Sequence, residues 1–226
     1  MPVRCVTKIA SAHGLSRKEM LDELLFMILS GFETAATFLS WFTYLMSKHP
    51  EVQKKIKQEL KQHGISQDTM LTPDMLDQLV YVDCVIKEVF RFSPNVNATL
   101  RTLVADDYLG KGDKIYHLHR GEVVLISFYN LHFDRRYWII DPERFYPDRF
   151  LSEDKNHHPY ALIPFGGGHR ACIGQDLAKL ELKIIITRLM QFITFEDGGE
   201  DINSGGHKQG LTVTPKNLAV YVQFDS

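Results

Sequence analysis

The stretch Phe165-Gly166-Gly167-Gly168-His169-Arg170-Ala171-Cys172-Ile173-Gly174 is the part of the chain around which the rest can be placed. An apolar-periodic run from Leu177 to Phe192 follows it, so Cys172 stands where a glycine-rich loop turns into a helix. A thiol in that position meets free backbone N–H groups and the positive end of the helix dipole, and both favour thiolate. Glycines let the backbone approach something flat and bulky, and they permit positive φ. Arg170 adds a fixed positive charge suited to a carboxylate. A thiolate, an arginine for an acid group and space for a large planar object together suggest a haem with a cysteine axial ligand. The plainer reading is a structural cysteine, because cysteine is often only a small buried hydrophobe.

Phe165, Gly168, Arg170, Cys172 and Gly174 fill every specified place of the pattern Phe-x-x-Gly-x-Arg-x-Cys-x-Gly. In this the stretch resembles the haem-binding loop of the cytochrome P-450 family. The resemblance runs from about Leu15 onward but covers only the C-terminal half of the family's fold. It implies a mostly α fold with a small β region, and a single partial domain over residues 1–226 with the family's N-terminal half absent. It implies haem b (iron protoporphyrin IX) held between a long helix and the cysteine loop. The activity implied is that of a monooxygenase, which inserts one oxygen atom into a small hydrophobic organic substrate. Electrons would come from NADPH through a separate reductase. Cys172 would be the axial ligand, Phe165 would shield its sulfur, and Arg101 and Arg170 would hold the propionates. A rival reading is a non-catalytic fragment or helical interaction module that lacks stable haem.

Upstream, Ser16-Arg-Lys-Glu19 forms a capping box before a long helical run from Met20 to Met46. Ser30-Gly31-Phe32-Glu33-Thr34 lies near its middle, where a glycine costs roughly 1 kcal/mol relative to alanine. By resemblance Gly31, Glu33 and Thr34 match the family's oxygen-site motif, with Ser30 departing from it at the first position. Thr34 would then hydrogen-bond dioxygen and Glu33 would help to bring protons. Helices are also expected after Pro50 and Thr72, and from Leu79 to Phe92, which contains Glu88-Val-Phe-Arg91. By resemblance Glu88 and Arg91 join a structural arginine in a buried network. The tetrapeptide Pro142-Glu-Arg144-Phe145 spells the family motif literally, but the surrounding pattern and the spacing to the cysteine loop select Arg149.

From Val96 the pattern turns to strands, expected at Thr102–Val104, Lys114–His117 and Val123–Ser127. Phe32, Ala35, Val96 and Ala98 are the expected substrate contacts, again by resemblance. His117 and His119 alternate on one face, yet no third ligand follows at useful spacing, so they read as surface histidines. Leu177, Leu180, Ile184, Ile185 and Leu189 give the last helix an apolar face, with Lys179 and Lys183 on or near the other side. The reductase would dock near Lys87, Lys179 and Lys183. Leu211–Val213 and Leu218–Phe224 read as a terminal hairpin.

Composition narrows the function classes further. A formal net charge of −2 gives no electrostatic case for nucleic acid. Cys5, Cys84 and Cys172 are far apart and odd in number, which argues against disulfides and for a reducing, intracellular setting. Full-length members of the resembled family are commonly anchored in the endoplasmic-reticulum membrane. No unbroken apolar run of about eighteen residues is present here, so no anchor is expected in this chain.

Overall fold

The computed structural model describes residues 14–225, so Cys5 lies outside the described residues. Helix α1 spans Arg17–Lys48 and opens on the capping box: Ser16 Oγ accepts from Glu19 N at 3.3 Å, and Glu19 Oε2 accepts from Ser16 N at 2.8 Å. Its C-terminal half places Phe38, Trp41, Phe42, Leu45 and Met46 on one buried stripe, at the spacing of a helix face. Pro50 starts α2 (Pro50–Gln62), which buries Val52, Ile56 and Leu60 at every fourth residue. After the short α3 (Pro73–Asp77), α4 (Val80–Phe92) buries Val82, Val85, Ile86, Val89 and Phe90. Beyond the short α5 (Phe128–His132), these faces meet α6 (Gln175–Phe192) around one core that includes Leu182, Ile186 and Met190.

Among the described residues the strands form four two-stranded antiparallel ladders in two nested sets. β1 (Ala98–Thr102) pairs with β4 (Val123–Ser127) and encloses the β2–β3 hairpin, Asp107–Lys111 with Lys114–Leu118. β5 (Ile193–Asp197) pairs with β8 (Val220–Phe224) and encloses β6–β7, His207–Gln209 with Val213–Pro215. Segments 211–213 and 218–224 are therefore not each other's partners, contrary to the terminal hairpin expected from the sequence. Each pairs with a strand before it, and the signal for β5 was hidden because it follows α6 without a break. The strand expected at 102–104 lies earlier, at Ala98–Thr102, and β2 was not anticipated.

Side chains of α1 and α2 fix the second nested set to the helices. Trp41 Nε1 donates to the Val213 carbonyl at 2.6 Å, and the Thr37 and Thr212 hydroxyls pair at 2.7 Å. Gln53 inserts between α1 and β5: its Nε2 donates to the Met46 and Phe195 carbonyls, each at 2.8 Å, and its Oε1 accepts from Phe195 N at 2.9 Å. A buried amide with its hydrogen bonds made holds backbone that helix and strand leave over.

Two expectations about helices need correction. α6 buries Leu182, Ile186 and Met190, while Leu177 and Leu180 are exposed, so its packed face is rotated from the expected one. The run Leu177–Ile185 is apolar on more than one side, and periodicity alone did not choose between the sides. The second concerns membranes. α1 is long and apolar enough to cross a bilayer by length and composition, since average apolarity rather than an unbroken run governs the cost of insertion. Its C-terminal half is nevertheless committed to the core described above.

Candidate functional site

The cysteine loop leaves the core at Phe165 and returns at α6. Cys172 N donates to the Phe165 carbonyl at 2.8 Å, which closes the loop into a compact turn. Gly166 and Gly168 take φ of +73° and +65°, conformations that an L side chain adopts only with strain. A 3-10 turn at Gly168–Arg170 follows, and Gly174 caps α6. Cys172 is exposed and free, and a Cβ added at Gly174 would stand 3.9 Å from its Sγ. Arg170 and the neighbouring Ile173 are also exposed, Ile173 by 90%. The other described thiol is different: Cys84 is buried among Trp138, Phe150 and Ala161, and burial pushes it up to about 11.

Behind the loop runs an aromatic chain. The Phe165 ring lies 5.0 Å from Phe90 of α4, and Phe90 lies 4.4 Å from Phe38 of α1. This connects the cysteine loop to the middle of α1. There Thr34 Oγ1 donates to the Ser30 carbonyl at 2.7 Å, and Glu33 Oε1 accepts from Thr212 Oγ1 at 2.9 Å. Asn95 Nδ2 donates to the Thr34 carbonyl at 2.8 Å, and the Asn95 carbonyl accepts from Val213 N at 2.9 Å. The segment before β1 is thus fastened to α1 beside Thr34. Val96 and Phe32 are exposed, while Ala35 and Ala98 are half-buried. Arg101 is half-buried and donates to Thr99 Oγ1 and the Leu100 carbonyl, each at 2.7 Å.

Beneath the loop, Glu88, Arg91 and Arg149 are fully buried together. Arg91 grips Glu88 with two hydrogen bonds, Nε to Oε2 at 2.7 Å and Nη2 to Oε1 at 2.8 Å. Arg149 Nε reaches Glu88 Oε1 at 3.1 Å, and its Nη1 reaches Asp154 Oδ2 at 2.9 Å. Arg144 is elsewhere: its guanidinium lies 4.4 Å over the Tyr146 ring. Only its backbone enters the network, where its carbonyl accepts from Arg91 at 3.1 Å and Arg149 at 2.8 Å.

Asp154 and His132 were not anticipated. His132 is fully buried, its carbonyl accepts from Arg91 Nη1 at 3.1 Å, and its Nε2 accepts from Ile163 N at 3.3 Å. It therefore joins the ion network to the segment leading into Phe165. Burial, and next the Arg91 charge, lower its pKa to about 4, so it is neutral at pH 7. Neither residue belongs to a recognisable short motif; the apolar neighbourhood of His132 was the only clue in the sequence.

Lys87 and Lys179 are exposed, with Lys179 Nζ 5.6 Å over the Phe165 ring. Lys183 is not at that surface. It is buried on the packed face of α6 and pairs with Asp83 at 2.8 Å, so it leaves the set of docking lysines.

The family model described as cytochrome P450 matches residues 5–222. The chain belongs to the cytochrome P450 family. Mouse cytochrome P450 4V2 is 38% identical over 180 residues, covering 79% of this chain and 33% of that protein. Rat cytochrome P450 3A9 is 32% identical over 219 residues, covering 96% of this chain and 42% of the relative. Among solved structures, retinoic acid bound cyanobacterial CYP120A1 aligns with a TM-score of 0.81 at 31% identity, over 94% of this chain and 47% of that one. The chain thus spans well under half the length of these curated P450 relatives. P450 proteins generally use haem. The residues present fit that group: an exposed thiol, a glycine loop open to solvent at Gly168, and exposed Ile173 and Leu177 beside it.

Proposed function

We propose that the chain is the haem-carrying part of a P450 monooxygenase, one partial domain of the family fold, acting on a small hydrophobic organic substrate. The observation that carries this reading is the exposed Cys172 thiol, set on a glycine turn that its own N–H closes on the Phe165 carbonyl. A thiolate-ligated haem bound there supplies the iron at which dioxygen is activated. Cys172 would hold the iron, and Arg101 and Arg170 would pair with the propionates. Gly168 and Gly174 would keep the loop low enough for the sulfur to reach its ligand position, and Phe165 would exclude water from the sulfur.

On α1, the Thr34 hydroxyl donates to the Ser30 carbonyl one turn back. Rotation about χ1 would turn that proton toward the oxygen pocket. Glu33, held through Thr212, would resupply protons from the side of β7. Phe32, Ala35, Val96 and Ala98 would touch substrate. Exposed Lys87 and Lys179 would receive an NADPH-dependent reductase by charge attraction. The free thiols of Cys84 and Cys172 fit a reducing, intracellular setting.

The reading is tested by the carbon-monoxide difference spectrum of the reduced, haem-supplied chain. A thiolate-type Soret band that Cys172→Ser removes and Cys84→Ser keeps is expected. A histidine-type band in all three proteins, or no haem uptake, refutes it.

A further inference from the structure

Far along the chain from the cysteine loop, the β2–β3 hairpin gathers three metal-binding side chains on one face. In the ladder, Asp107 faces Leu118 and Tyr108 faces His117. Continuing that register by one residue sets Asp106 opposite His119. Side chains alternate along a strand, so Asp106, Tyr108, His117 and His119 share a face. The potential ligand atoms of Asp106, His117 and His119 all lie within 4.8 Å of one another. Asp106 Oδ2 is 3.5 Å from His117 Nε2 and 3.9 Å from His119 Nδ1. No third ligand follows the histidines in the sequence; Asp106 precedes them, one residue before β2.

The cluster is also held in place. Asp106 Oδ1 accepts from Arg120 N at 2.8 Å, which leaves Oδ2 turned to the histidines. Glu122 accepts from His119 N at 2.7 Å, fixing the start of the turn. Tyr108 stacks on the His117 ring at 4.7 Å with 23° between the planes, which limits its rotation. Such outer contacts are what orient ligands in metal sites. Two imidazoles and one carboxylate, with open positions toward solvent, suit a late first-row divalent cation. Tetrahedral bonds of about 2 Å would set ligand atoms roughly 3.3 Å apart, so small side-chain rotations close the site.

We propose that Asp106, His117 and His119 form a surface site for a divalent transition-metal ion, zinc being the first probe. The bound ion would clip the open end of the β2–β3 hairpin to the turn at His119–Glu122. The alternative is that Asp106 is simply an ion-pair partner of the two histidines.

The test is equilibrium titration of untagged, haem-loaded chain with Zn²⁺, in parallel with the His117→Ala/His119→Ala double variant and Asp106→Asn. All three residues are exposed, and circular dichroism checks that the variants fold. Expected is one zinc equivalent that the double variant loses. Asp106→Asn should weaken it beyond the about 10–100-fold typical of outer-shell changes. Cobalt K-edge X-ray absorption of the Co²⁺-substituted protein, which haem does not obscure, should show nitrogen and oxygen neighbours without sulfur. No zinc uptake, uptake unchanged in the double variant, or a sulfur neighbour reporting metal at a cysteine would each overturn the assignment.

Discussion

Replacing Arg149 by alanine should unfold much of the protein's stability, whereas replacing Arg144 should not. Arg149 makes five hydrogen bonds from a fully buried guanidinium: to Glu88 at 3.1 Å, Ile140 O at 3.0 Å, Asp154 at 2.9 Å, Asp141 O at 3.0 Å and Arg144 O at 2.8 Å. Glu88 would keep its two bonds to Arg91 and one from Tyr146 N. Asp154 would keep only backbone donors, Ile139 N and Ile140 N. Two buried carboxylates would then face one guanidinium. Breaking a buried pair in this way costs about 3–5 kcal/mol, against a total stability of about 5–15 kcal/mol. Arg144 loses at most its stacking on Tyr146, about 0.5–1 kcal/mol at an exposed site, because its carbonyl survives the substitution. Urea unfolding followed by tryptophan fluorescence measures both, since Trp138 lies 5.6 Å from the Arg149 guanidinium. Equal midpoints for the two variants, or a larger loss for Arg144→Ala, would refute the assignment of the network.

Acid should destabilise the protein before its carboxylates titrate. His132 protonates near its ordinary value when unfolded but only at about 4 when folded, so the unfolded state gains the proton first. Stability should fall by on the order of 3 kcal/mol between about pH 6.5 and 4, and His132→Gln should flatten that slope in a pH series of urea midpoints. Lys183→Ala should cost about 1–2 kcal/mol through lost packing and the lost Asp83 pair, while Lys179→Ala should change stability by less than about 0.5 kcal/mol and raise the KM for reductase. Thr34→Ala should leave the unfolding free energy from urea titration within about 0.5 kcal/mol, because a back-bond to Ser30 adds little to a helix. In the haem-loaded protein the same change should raise peroxide release per reductant consumed; unchanged coupling would remove Thr34 from the proton route.

What was legible in the sequence had a local cause. The capping box at Ser16 and the prolines at Pro50 and Pro73 act within one turn, and the structure has helices starting there. The cysteine loop was legible because its glycines and Arg170 stand at fixed offsets from Cys172. What depended on pairing across the chain was not. β5 and β8 meet over a gap that no turn motif marks, and Asp106 meets His117 and His119 only through the hairpin register. The burial of Lys183 was illegible for another reason. A lysine on a helix with apolar residues all round has no signature until α4 supplies Asp83. The Phe38–Phe90–Phe165 chain likewise joins three segments whose phenylalanines look alike when read singly.

Cys172 is proposed to bind the haem iron. Iron K-edge X-ray absorption of the ferric, haem-loaded chain measures this at the metal itself. Expected is a sulfur scatterer at bonding distance that persists in Cys84→Ser and disappears in Cys172→Ser. Only nitrogen and oxygen scatterers in the unsubstituted protein, or a sulfur that survives Cys172→Ser, would contradict it.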